Sequence, residues 1–99
     1  MIQITALGQK NSFYLKIKGR SLSNRKIYSK IETLYNALLS LAEKDDRVIK
    51  LKGSTKQNVL RLAVTGGRHT VGAFNMVLSG IREIERKHPK NIALNERTI

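Results

Sequence analysis

The chain has 99 residues, 40% of them hydrophobic, no cysteine, and 19 Lys and Arg against 7 Asp and Glu, for a net charge of +12. This length suits one domain with a modest core. The missing cysteine excludes a disulfide framework and thiolate metal sites, and no apolar run approaches the ~20 residues of a membrane span. The charge points to a polyanionic partner, nucleic acid first, because self-repulsion at this density opposes compaction.

In chain order, Ile2, Ile4 and Ala6 alternate with polar residues and predict a short strand. Gly8 to Asn11 is a turn signal, after which Phe13, Leu15 and Ile17 alternate with Tyr14, Lys16 and Lys18. The two runs predict a hairpin. Gly19 and Arg20 end it, with Ser21 and Ser23 as candidate helix caps. Ile27, Ile31, Leu34, Leu38 and Leu41 then mark one helical face, with Tyr35 beside it and an end near Glu43. Lys44 to Arg47 is a polar turn.

Val48 to Lys52 predicts a third strand and Gly53 to Gln57 a second hairpin turn. Asn58 to Ile84 changes period midway. Leu60, Leu62 and Val64 keep a strand rhythm, Gly66 and Gly67 permit a sharp turn, and Thr70 is a candidate N-cap. Phe74, Val77, Leu78, Ile81 and Ile84 recur at helical spacing, and the helix must stop before Pro89. Ile92 to Leu94 suggests a short edge strand, and residues 95–99 a frayed tail. The expected architecture is α+β: a two-layer β-β-α-β-β-α domain over residues 1–99, with a four-stranded, mainly antiparallel sheet and two helices on one face. The predicted core includes Leu15, Ile17, Ile31, Leu34, Leu62, Val64, Phe74, Leu78 and Ile81.

The strand residues out of phase with the core belong to the other sheet face. They are Gln3, Thr5, Tyr14, Lys16, Lys18, Lys50, Lys52, Val59, Arg61, Ala63 and Thr65, of which five are basic and none acidic. Glu32, Glu43, Asp45, Asp46, Glu83 and Glu85 fall on the helices or the turn after one, and Glu96 in the tail. A solvated face ordinarily mixes charge signs, so Tyr14, Lys16, Lys18, Lys50, Lys52 and Arg61 form the candidate nucleic-acid surface. Tyr14, its one aromatic, can stack on a base. The helix starts supply a second candidate. Arg20, Ser21, Arg25 and Lys26 at one, and Gly66, Gly67, Arg68, His69 and Thr70 at the other, combine cations, hydroxyls and free N–H groups that suit a phosphate.

The expected activity is therefore nucleic-acid binding, DNA or RNA of either strand state, with little base specificity. Two alternatives belong to other classes. One is a protein-interaction module that docks an acidic partner, such as a regulator, an assembly factor or a toxin–antitoxin member. The other is a metal-independent ribonuclease. Catalytic signals are poor: His69 and His88 stand apart from any carboxylate set, and Gly53-Ser-Thr-Lys56 lacks the phosphate-loop pattern. The chain is thus read as a non-enzyme with no cofactor, no metal and no membrane partner, located in the cytoplasm. Gly72, Asn75, Met76, Ser79 and Gly80 make a small-residue stripe on the second helix, compatible with a homodimer. The aromatic strand motifs of the RNA-recognition fold are absent, and Gly67 to Thr70 fails the GxxG loop of a KH domain.

Overall fold

The computed structural model describes residues 1–10, 12–44, 48–49, 59–65 and 68–98. The elements are β1 (Ile2–Gln9), β2 (Ser12–Lys18), α1 (Arg25–Lys44), β3 (Val48–Ile49), β4 (Leu60–Thr65), α2 (Arg68–Lys87) and β5 (Ile92–Thr98). The fold is α+β. Strand order in the sheet is β3-β4-β2-β1-β5, antiparallel throughout except that β5 runs parallel to β1.

The short edge strand expected at Ile92 to Leu94 is present as β5 and is longer than expected. Its register, Ile2 with Ile92 and Ile4 with Leu94, continues to Gly8 with Thr98, so Asn95 to Thr98 are strand and not a frayed tail. Three devices hold it. Ile92 is buried in the core. The Leu94 N–H, which faces away from β1, donates to Glu85 Oε2 at 2.7 Å. Arg82 of α2 donates from Nε to both carboxylate oxygens of Glu96, at 3.1 and 2.9 Å. That hydrogen bond also holds the Glu96 carboxyl below the usual range. The Glu85 carboxylate thus satisfies an edge donor that would otherwise invite pairing.

Register places Ile4, Ile17 and Leu60, then Ala6, Leu15 and Leu62, in lateral rows on one face. These meet Tyr28, Ile31, Tyr35, Leu38 and Ala42 of α1 and Phe74, Val77, Leu78 and Ile81 of α2 in a single core. Both helices therefore lie on that face. The rings of Phe13 and Phe74 stack, with centroids 4.2 Å apart. On Gly80 a Cβ would stand 3.1 Å from Leu34 Cδ1, so this glycine serves the packing of α2 on α1. The buried stripe of α1 is rotated from the expected one. Tyr28, Tyr35 and Ala42 are inside, whereas Leu41 is 48% exposed. Spacing alone cannot separate two stripes one residue apart when both are apolar. Val59, expected on the open face, stands just before β4 and is also buried. No helix among the described residues is long and apolar enough to cross a membrane.

The start of α1 is built on Asn24, not on Ser21 or Ser23. Asn24 is 3% exposed. Its Nδ2 donates to the Gly19 carbonyl at 3.0 Å, its Oδ1 accepts the Ser21 N–H at 2.9 Å, and its own carbonyl accepts the Tyr28 N–H at 2.8 Å. Ser21 and Ser23 instead bond to each other, Oγ to Oγ at 3.0 Å. Replacing Asn24 with alanine leaves the Gly19 carbonyl and the Ser21 N–H without their partner. Thermal or urea unfolding of Asn24→Ala is expected to show a loss of about 2 kcal/mol. A loss below about 0.5 kcal/mol would mean that the loop is held by other contacts.

Candidate functional site

The face of the sheet opposite the helices follows directly from register. One row runs Arg61, Lys16, Thr5, Asn95, and the next runs Ala63, Tyr14, Leu7, Arg97. Lys18 stands opposite Gln3 at one end, and Ser12 lies between Thr65 and Gln9 at the other. Neighbouring strands lie ~4.8 Å apart and same-face residues ~6.8 Å apart along a strand. Lys16, Lys18, Arg61 and Arg97 therefore share one surface with Tyr14. Lys18 and Arg97 are exposed and the other three half-buried.

Lys16 and Arg61 are register partners on adjacent strands. Like charges placed directly opposite destabilise a sheet pair, so a bound anion would relieve a cost that the free protein carries. The Arg61 Nε is buried and has no hydrogen-bond partner among the described residues, and an unmet charged donor is expensive. The backbone beneath this side chain is pinned, because the Tyr35 hydroxyl donates to the Arg61 carbonyl at 2.8 Å. Burial raises the Tyr35 phenol pKa, with smaller upward contributions from Tyr28 and Glu43, so the hydroxyl keeps its proton.

The carboxylates sort to the other side. Glu32 and Glu43 lie on α1, and Glu83 and Glu85 on α2. Glu96 has the register of Ala6, a core-facing residue, and reaches Arg82 on α2. Among the described residues no carboxylate stands on the open face.

The second candidate divides. Gly19 takes φ +104° and turns the chain out of β2. Arg20 then lies over the Tyr28 ring, with Cζ 5.7 Å from the centroid. Arg20, Arg25 and Lys26 line one concavity of about 510 Å³ together with Lys30, Tyr28, Ser29 and Glu32. Ser21 is not part of its lining, being engaged with Ser23. Burial pushes the Tyr28 phenol pKa up, Glu32 adds to this, and Arg20 draws it back. At the other helix, Arg68, His69 and Thr70 form the first turn of α2 itself. Thr70 is consequently inside the helix and is not its N-cap. Lys50, Lys52, Gly66 and Gly67, all named as candidates, lie outside the described residues, as do the side chains of Arg68, His69 and Thr70.

Three contributors escape a reading of the sequence. Arg97 joins the open face only because the last residues form β5. Leu7 stands beside Tyr14 only because β1 runs on past Ala6. Lys30 follows Lys26 at helical i,i+4 spacing, a signal that was available but has no anion-binding motif attached to it.

No protein-family model matches the chain, and no curated protein sequence matches it. Solved structures do match. SMU.848 from Streptococcus mutans superposes with a TM-score of 0.78 over 100% of this chain and 99% of that one, at 17% identity. The essential ribosomal processing protease Prp from S. aureus matches with a TM-score of 0.81 in complex with a substrate peptide, at 9% identity. Prp with a covalently linked product peptide matches with a TM-score of 0.77, at 10% identity. Both Prp matches cover 98% of this chain and 100% of theirs. The chain shares its fold with these proteins. That finding corrects the reading of the chain as a non-enzyme, because the same architecture carries a peptidase. The reading rested on missing motifs, and one fold hosts several chemistries through sites that differ in sequence.

Proposed function

We propose that the chain binds nucleic acid, holding phosphates on the open face of its sheet through Lys16, Lys18, Arg61 and Arg97. The cluster of Arg20, Arg25, Lys26 and Lys30 at the start of α1 adds contacts to the same polyanion. The observation that carries this reading is the one-signed charge of the uncovered face: Lys16, Lys18, Arg61 and Arg97 stand there with no described carboxylate among them, although the helix side carries both signs. A phosphate backbone is the polyanion such a face suits, and contacts to it confer affinity without sequence preference. The cytoplasm, where nucleic acid is accessible, is the matching location.

The test is equilibrium binding to DNA and RNA, each single- and double-stranded, between ~50 and ~200 mM salt. The four open-face contacts alone predict a log-log salt slope of about −3 on a single strand, and contacts from the α1 cluster steepen it. No binding, or a slope near zero, would overturn the reading.

A second reading is favoured by the basic concavity at α1: it docks an acidic polypeptide segment there. The peptide complexes of Prp make polypeptide binding a natural use of this fold. A Glu-rich peptide that binds this chain, and loses binding in Arg25→Ala/Lys26→Ala, would support it. Retained binding in that variant would remove the concavity from consideration.

A further inference from the structure

We propose that the open face takes a single strand of nucleic acid, with one base seated on the ring of Tyr14. This deepens the nucleic-acid reading above and rests on it. Leu7, Tyr14 and Ala63 form one lateral row on three adjacent strands. Together with Gln9, Ser12, Thr65 and the core residues Phe13 and Val64 they line a depression of about 190 Å³. It combines the open-face ring of Tyr14, the aliphatic Leu7 and Ala63 and a polar rim of Gln9, Ser12 and Thr65, the Phe13 ring being stacked on Phe74 in the core. At that rim Ser12 Oγ donates to Gln9 Oε1 at 2.9 Å, so a hydroxyl and an amide stand where the edge of a base would lie. Gln9 keeps its amide N–H groups for such an edge, and Ser12 keeps an oxygen lone pair.

The cations stand on one side of this row and at its end. Lys16 and Arg61 occupy the next row along β2 and β4, and Arg97 is the register partner of Leu7 on β5. A strand crossing the sheet over Tyr14 would set its phosphates against Lys16 and Arg61 beside the base and against Arg97 at the end of the row. A duplex keeps its base faces inside its own stack, so only an unpaired base can meet the ring. Stacking tolerates any base, in keeping with the low sequence preference already inferred. One ring serves one base. The remaining affinity comes from the phosphates.

The experiment compares wild type, Tyr14→Ala and Tyr14→Phe against a single strand and the duplex of the same sequence. Tyr14→Ala is expected to weaken single-strand binding about 5- to 100-fold, the range for loss of one stacked base. Its salt slope should stay that of wild type, because no phosphate contact is removed. Tyr14→Phe should bind within about two-fold of wild type, because the π-face is retained. Duplex affinity should be unchanged in both. An unaltered single-strand affinity in Tyr14→Ala, or equal losses on single strand and duplex, would overturn the proposal while leaving phosphate binding intact. Absence of salt-dependent binding in wild type would overturn the underlying reading and this proposal with it.

Discussion

Exchanging Lys16, Lys18 and Arg61 together for glutamine is expected to lower nucleic-acid affinity about 10- to 100-fold at moderate salt and to flatten the salt slope by about 2 units. The slope is the more telling quantity. Each lost phosphate contact on a single strand removes about 0.7 from it, whatever the remaining affinity. The variant should not be less stable than wild type. Lys16 and Arg61 face each other with the same charge, and removing both ends a repulsion worth a few tenths of a kcal/mol. The contact that fixes β4 to α1 runs from Tyr35 to the backbone carbonyl of residue 61 and does not depend on its side chain. Binding should therefore fall while the melting temperature holds or rises slightly, the pattern of a surface kept for function at some expense of stability. A folded variant with unchanged affinity and slope would show that the face is only solvated. The α1 concavity would then be the surface to pursue.

The second large effect falls on Gly19. Its φ of +104° is a region that side chains with a Cβ avoid, and a Cβ built there would stand 2.2 Å from the Met1 carbonyl oxygen. Gly19→Ala must both adopt a disfavoured backbone conformation and push the first residue of the chain aside. Each cost is of order 1–3 kcal/mol. A loss near 3 kcal/mol would lower the melting temperature of a domain this size by roughly 10–20 °C. Gly72→Ala is the counterpart of opposite sign. Gly72 lies on α2 with nothing within 4 Å of its Cβ position, so alanine should stabilise by about 0.5–1 kcal/mol through helix propensity. Calorimetry on both variants checks the pair. A Gly19→Ala protein that melts within a few degrees of wild type would mean that the N-terminus yields without cost.

Helix α1 shows where reading from periodicity reaches its limit. Residues 27, 31, 34, 38, 41 and residues 28, 31, 35, 38, 42 are both apolar sets at helical spacing, and only packing against β4 and α2 chose the second. Tyr35 decided part of it, since its ring is buried while its hydroxyl finds the Arg61 carbonyl. The cap of the same helix was hidden for a similar reason. Serine, asparagine and aspartate are all good cap residues, and three of them fall within 21–24. Choosing Asn24 takes the position of the Gly19 carbonyl, which belongs to the turn and not to the helix.

By itself the amino-acid order determined the hairpin of β1 and β2, the strand–helix succession, the α+β class and the parity of Lys16, Lys18 and Arg61 against the core. Those properties depend on alternation and helical spacing, which are local and survive without neighbours. Tertiary structure decided what crosses the sheet. It set Lys16 beside Arg61, brought Arg97 to the open face, turned Glu96 toward Arg82, and made residues 92–98 a parallel fifth strand. The last residues are the clearest case. Asn95, Glu96, Arg97 and Thr98 carry no strand signal of their own, and they are ordered by hydrogen bonds to β1 and by carboxylate contacts with α2, neither of which is present in the local sequence.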